Sequence, residues 1–338
     1  MNAEKKFHQV MILSVVLLVF CFLAALCMGR YSIPISTVFA ELMGKGDPSS
    51  TVHTVIFNVR IPRMILSILA GAGLSAAGLA FQCLFSNPLA TPDTLGTAEG
   101  ASFGAALGIL LGFQSAGVQA LSLIMGAAAV TLVFLVSGKG NGRSRSMIYV
   151  ILAGMVISSL FRALVSLTKY AADPQDQLPV ITFWLMGSFS GITKRSLLTS
   201  APLILAGLLI LTLLRFRLNV LSLSEEEAKS LGMDLKQMRI LIVVSASAIT
   251  AAVVSACGVI GWVGLLVPHI ARMLLGNDNR YCEPASMVLG GLFMLVTDTA
   301  ARCMTASEIP VSILTALIGA PVFILLLRKS SVENSLDI

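Results

Sequence analysis

The sequence predicts an all-α, polytopic membrane protein of about ten transmembrane helices. Three observations carry that expectation. Of 338 residues, 56% are hydrophobic and only 12% are charged, with a mean hydropathy of +0.90, whereas soluble chains carry about 25% charge. Apolar runs of roughly 20 residues, the length that crosses a bilayer, recur along the chain. Lys and Arg collect in alternate polar segments, as they do in cytoplasmic loops. The net charge of +6 belongs with that bias, and no basic face interleaved with aromatics points to nucleic acid.

The expected spans are 9–29, 63–83, 95–112, 117–137, 147–169, 197–214, 239–257, 259–275, 284–302 and 310–327. Lys5 and Lys6 precede the first. Its apolar run from Val10 to Met28 exceeds the ~7–15 residues of a signal-peptide core, so it reads as a retained span. The runs Gly71-Ala72-Gly73, Ser75-Ala76-Ala77-Gly78 and Gly100-Ala101-Ser102-Phe103-Gly104 place small residues where helices approach closely in lipid. The spans 95–112 and 259–275 are short and glycine-rich. Residues 1–338 read as a single integral-membrane domain, with a cytoplasmic loop at about 215–238.

With the N-terminus inside, most Lys and Arg fall on the inner side and both termini are cytoplasmic. Arg60, Arg63 and Arg302 are exceptions at the outer face. They are expected to be exposed, forming a docking surface for an acidic partner, and Arg302 could also pair with Asp298 one turn away. Glu99 and Arg162 fall within spans and are expected to face the bundle interior, with partners the sequence does not name. His269 reads as structural, and Phe183, Trp184 and Met186 as an interfacial anchor rather than a cargo contact. Cys21, Cys27, Cys83, Cys257, Cys282 and Cys303 show no Cys-x-x-Cys pairing and read as small apolar thiols.

Catalytic groupings are missing too. No Gly-x-x-x-x-Gly-Lys-Ser/Thr loop is present, and Gly138-Lys139-Gly140 has the wrong spacing. In the long inner loop, Ser224 can cap a helix with Glu227 three residues on, as in a capping box. Glu225, Glu226 and Glu227 suit its first turn, Ala228 and Leu231 continue it, and Gly232 can end it. Pro88 halts a helix at Asn87-Pro88-Leu89.

Four stretches go beyond composition. They are Arg60-Ile-Pro-Arg63 with Leu69-Ala-Gly-Ala-Gly73; Gln82 through Asn87-Pro88-Leu89-Ala90-Thr91-Pro92 and Leu95-Gly96; Gly258 through Gly261, Gly264, Pro268, His269 and Arg272; and Asp298 through Arg302, Glu308, Pro310, Gly319 and Pro321. In order and spacing, from about Arg30 to Lys329, the chain resembles the permease family of ABC importers for iron-siderophores, haem and vitamin B12.

The resemblance implies a ten-helix subunit that pairs with a second permease, identical or paralogous, around a central pathway. It implies two cytoplasmic ATPase subunits, an extracytoplasmic binding protein, and a bacterial cytoplasmic-membrane location. Cofactors would be absent from this chain, with ATP and Mg held by the partner ATPase, and the chain itself would not be an enzyme. It further implies docking at Arg60, Arg63 and Arg302, ATPase coupling at Ser224–Gly232 (the family usually has Gly where Ser224 stands), a gate at Asn87, Pro88, Leu89 and Met147, and pathway lining at Gly154 and Ser158. The cargo expected is an iron(III)-siderophore, with cobalamin or haem as alternatives. An ion-coupled secondary transporter is the rival from another class.

Overall fold

The computed structural model describes residues 3–137, 147–223, 225–230, 232–305 and 307–336. Its helices are α1 (Ala3–Cys27), α2 (Ile35–Leu42), α3 (Thr51–Thr54), α4 (Ile61–Leu84), α5 (Thr97–Leu110), α6 (Ser115–Val136), α7 (Met147–Ala171), α8 (Gln177–Leu185), α9 (Lys194–Leu218), α10 (Glu225–Ser230), α11 (Leu235–Cys257), α12 (Val263–Leu275), α13 (Asn279–Met304) and α14 (Val311–Leu336). Short 3₁₀ turns cover Pro92–Leu95 and Asn219–Ser222. No strand occurs among the described residues.

Each of the ten expected spans lies on a helix, but among the described residues seven helices are long and apolar enough to cross a membrane: α1, the continuous helix Thr51–Leu84, α6, α7, α9, α11 and α13. Length sets α5 and α12 apart. α5 has 14 residues and α12 has 13, about 20 Å at 1.5 Å per residue, against a hydrocarbon core of about 30 Å.

The long helix containing α4 shows how local chemistry sets an element. Ser50 caps its start, its hydroxyl accepting from the His53 amide at 3.0 Å. A wider π turn follows at Val55–Arg60. Pro62 has no N–H to give the Asn58 carbonyl, which removes one α-type bond next to that turn. Beyond it α4 is enclosed nearly all round, packed against α9, α11, α12 and α13. α1 is peripheral, with Ile12, Leu13 and Phe20 exposed, and only Ser14 and its last turn are buried.

Glycine permits this enclosure. A Cβ on Gly71 would lie 2.1 Å from the Gly290 carbonyl oxygen of α13, and one on Gly78 would lie 2.0 Å from that of Gly264 on α12. Cβ atoms on Gly100 and Gly104 would strike the α6 backbone at Met125 and Leu121. The small-residue runs therefore act as contact faces, as expected from packing in lipid. Because backbone lies on both sides at Gly78, Gly78→Val should destabilise the bundle by about 3 kcal/mol. Thermal unfolding of the purified subunit in detergent should show a lower midpoint, and an unchanged midpoint would refute the contact.

Candidate functional site

Two ends of the bundle carry the expected functional residues: the end where α4 begins, with Arg63, and the end where it stops, ahead of Asn87.

At the Arg63 end the structure brings Arg60, Arg63 and Arg302 together but turns them inward, with only 4%, 5% and 5% of their surfaces exposed. Arg63 donates from Nε to both oxygens of Asp298 (3.1 and 3.0 Å), from Nη2 to Asp298 (2.8 Å) and from Nη1 to Glu308 (2.8 Å). The other two arginines finish a helix. An α-helix leaves its last four carbonyls without intrahelical partners, and the dipole there favours cations. At the end of α1, Ala24 accepts from the Met28 amide and Cys27 from the Ile33 amide. Ala25 accepts from Arg302, and Leu26 from Arg60, which also donates to the Tyr31 carbonyl.

The expectation that Arg60, Arg63 and Arg302 are exposed is therefore corrected: their side chains are buried and donate within the bundle. The Arg302–Asp298 pairing is corrected too, because Asp298 gives both oxygens to Arg63. Charge bias along a sequence shows which end of a helix an arginine occupies, not whether its side chain turns in or out.

At the opposite end α4 stops at Leu84, short of Pro88, and Ser86 takes a positive φ of 48°. The Asn87 carboxamide oxygen accepts from the Leu89 amide at 2.9 Å. Asn87, Pro88 and Leu89 are exposed, and Leu89 presents 57% of an apolar surface. Met147 opens α7, and its side chain lies outside the described residues.

Gly154 and Ser158 do not line an open pathway. A Cβ on Gly154 would lie 2.2 Å from the Thr94 carbonyl oxygen, and Ser158 is buried against Gly96. That face of α7 supports the Pro92–Leu95 turn, which explains how α5 can start part-way up the bundle. The exposed face of α7 carries Leu152, Met155, Ser159, Leu160, Arg162 and Ser166. On it, Arg162 Nε donates to Glu99 Oε1 of α5 at 2.7 Å, with side chains 65% and 28% exposed. Glu99 and Arg162 are thus each other's partners, on an open face rather than in the bundle interior. Asp93 is exposed on the adjoining turn and within electrostatic reach of both. Nine residues separate Arg162 from Ala171, which places the guanidinium about 13 Å below that helix end, well inside the membrane span.

The loop expected to couple to an ATPase forms a 3₁₀ turn and then the six-residue α10. Ser224 and Leu231 lie outside the described residues, as do the side chains of Glu225 and Glu226. Ala228 is buried (1% exposed), its carbonyl accepts from the Met233 amide, and Gly232 has φ 75° just past the helix. Asp234 then caps α11, accepting from the amides of Lys236 and Gln237.

Elsewhere, His269 sits against Phe323 with ring centres 5.7 Å apart, while Arg272 donates to the Gln82 carboxamide. Phe183 and Trp184 line a cleft of about 700 Å³ at the Arg63 end, together with Gln119, Ser190 and Glu308. Sequence reasoning missed Glu283, which is fully buried on α13 and bonded to Thr212 of α9. Its signal was faint, because the expected span began one residue later.

Enclosed long helices, an open polar stripe at mid-span and a short helical loop at one end define a multi-pass membrane transport subunit. The chain belongs to the FecCD transport family, which it matches over residues 17–329. It is an ABC importer permease and not itself an enzyme. It is 41% identical over 319 residues to a molybdate import system permease of Haemophilus influenzae, covering 93% of each chain. It is 35% identical over 281 residues to a probable iron chelatin transport permease of Helicobacter pylori, covering 83% of this chain and 84% of that one. A solved structure described as an inward-facing, metal-chelate type ABC transporter superposes with a TM-score of 0.86 at 39% identity, over 95% of this chain and 99% of the other.

Breaking a buried ion pair from one side typically costs about 3–5 kcal/mol. Arg63→Glu should therefore lower the melting temperature and membrane yield, whereas loss of docking on an intact fold is the outcome expected of a surface charge. Differential scanning fluorimetry beside a binding assay separates the two results.

Proposed function

We propose that this chain is the translocation subunit of an importer for an anionic metal species, working as a dimer of permeases. An ion-paired arginine on an open face at mid-span carries the reading. Facing lipid, Arg162 would cost from about 2.5 to more than 10 kcal/mol. A water-filled pathway between two copies of α7 removes that cost, and the stripe Ser159, Arg162 and Ser166 fits such a lining. The Glu99 bond uses only Nε, leaving the terminal nitrogens available to an anionic cargo.

In this arrangement the Arg63 end faces outward and receives cargo from a binding protein, and the Asn87 end opens to the cytoplasm. Both termini are cytoplasmic, in a bacterial cell membrane. Exposed Leu89, with Asn87, Pro88 and Met147, forms the inner constriction. Two separate ATPases, holding ATP and Mg, engage the loop around α10. Among anionic cargoes an iron(III)-siderophore is the first candidate. Molybdate is the second, favoured by the 41% identity to a molybdate permease.

Uptake of a radio-iron siderophore and of labelled molybdate, with and without the gene, tests the assignment. Loss of either identifies the cargo. Loss of labelled cobalamin uptake instead would reject an anion as the selected feature, whereas loss of haem uptake would name haem, with its two propionates, as the anionic cargo. Uptake abolished by collapsing the membrane potential while ATP persists would favour an ion-coupled transporter. Arg162→Gln should lower uptake of the true cargo roughly 10-fold or more, the size of one charge-assisted hydrogen bond, with normal amounts of protein in the membrane.

A further inference from the structure

A row of polar groups joins α9 to α13 directly above the loop that carries α10. Thr212 of α9 donates to Glu283 Oε1 at 3.1 Å. Seven residues on, Asn219 donates to Asp278 at 2.7 Å and accepts from the Asn279 amide at 2.8 Å. Arg215 falls between these two fixed points, three residues after Thr212 and four before Asn219. That spacing keeps it on the stripe of α9 that faces α13.

Two of the charged groups in this seam are only partly satisfied. Glu283 is fully buried and its Oε2 has no hydrogen-bond partner. Arg215 Nε is likewise buried without a partner, while the guanidinium lies over the Phe216 ring at 5.0 Å. Arg215 is also the charged group whose field reaches Glu283. A buried carboxylate and a half-buried guanidinium on facing helices, one turn apart and not bonded, are the halves of an ion pair that this conformation leaves open.

The position of the seam gives the open pair a use. α9 runs without a break into the 3₁₀ turn Asn219–Ser222 and then to α10. Any push on α10 reaches α9 at its end, where Asn219 is tied to α13. A slide of α9 along α13 by part of a turn would carry Arg215 toward Glu283, and packed helices shift between discrete positions rather than bending smoothly.

We propose that Glu283 and Arg215 form a two-state ion pair, open in this structure and closed in the alternate state, that positions α9 against α13 and so transmits movement of the α10 loop to the bundle. The proposal rests on the reading of the chain as an ATP-driven permease. Glu283 and Arg215 are positioning residues in it and touch no cargo. Glu283 holds its place through Thr212 in the open state, and the charges meet only when α9 moves.

The test is a double-mutant cycle on the complete importer, the permease assembled with its ATPase and binding protein in liposomes, with hydrolysis of Mg-ATP as the readout. Glu283→Gln keeps the size of the side chain and its bond to Thr212. Glu283→Gln and Arg215→Gln should each slow the ATPase cycle about 10-fold, the double variant should be no slower than either, and Arg215→Lys should stay within about 2-fold of the wild type. All four should melt at or above the wild-type temperature. Multiplying losses, unchanged rates, no rescue by lysine, or rate losses that follow a fall in melting temperature would each overturn the ion pair. A wild-type assembly that hydrolyses no ATP would overturn the underlying permease reading as well, which distinguishes the two failures.

Discussion

Charge removed from water must be matched by donors and acceptors, and this requirement organises the Arg63 end of the bundle. Three guanidiniums are almost fully enclosed there. One meets two carboxylates from α13 and the segment after it, and the other two take the carbonyls that α1 cannot bond within itself. The consequence is topological. α1 is mostly exposed, and polar bonds from the π turn before α4 and from α13 fix its last turn. Hydrophobic burial between helices contributes little in lipid, because lipid tails are as apolar as leucine, so such bonds and close packing hold the outermost helix.

Close packing supplies the second constraint. α4 touches α12 and α13 through glycines whose missing side chains let backbones meet. The same economy of volume puts Gly154 of α7 against the Thr94 carbonyl and holds the Pro92–Leu95 turn inside the membrane. With one face of α7 used to support that turn, the opposite face is left open, and Arg162 and Glu99 stand on it. The open face and the buried face of one helix are thus fixed by a single contact between a glycine and a carbonyl.

These two constraints set which parts of the bundle can move. The Arg63 end is tied by several charge-assisted bonds at once and acts as a fixed frame. The opposite end is looser: exposed Asn87, Pro88 and Leu89 follow α4, and the seam between α9 and α13 leaves a carboxylate oxygen and a guanidinium nitrogen unmatched. In the proposed arrangement that gradient is rigid where cargo is received and adjustable where nucleotide-driven motion enters.

The sequence by itself determined the helical membrane class, the apolar segments that fall on helices, the glycine faces and the break before Asn87. These follow from local properties: apolar length, small side chains and a missing proline N–H. Tertiary structure decided where side chains point and whom they meet. It turned Arg60, Arg63 and Arg302 inward, gave Asp298 to Arg63, moved Gly154 and Ser158 off the open face, paired Arg162 with Glu99, and placed Glu283 opposite α9. Each of those outcomes depends on a partner distant in sequence, 63 residues away for Arg162 and Glu99 and 235 for Arg63 and Asp298. Helical periodicity gives the face a residue occupies, and only the packing of the other helices decides whether that face meets lipid, water or another charge.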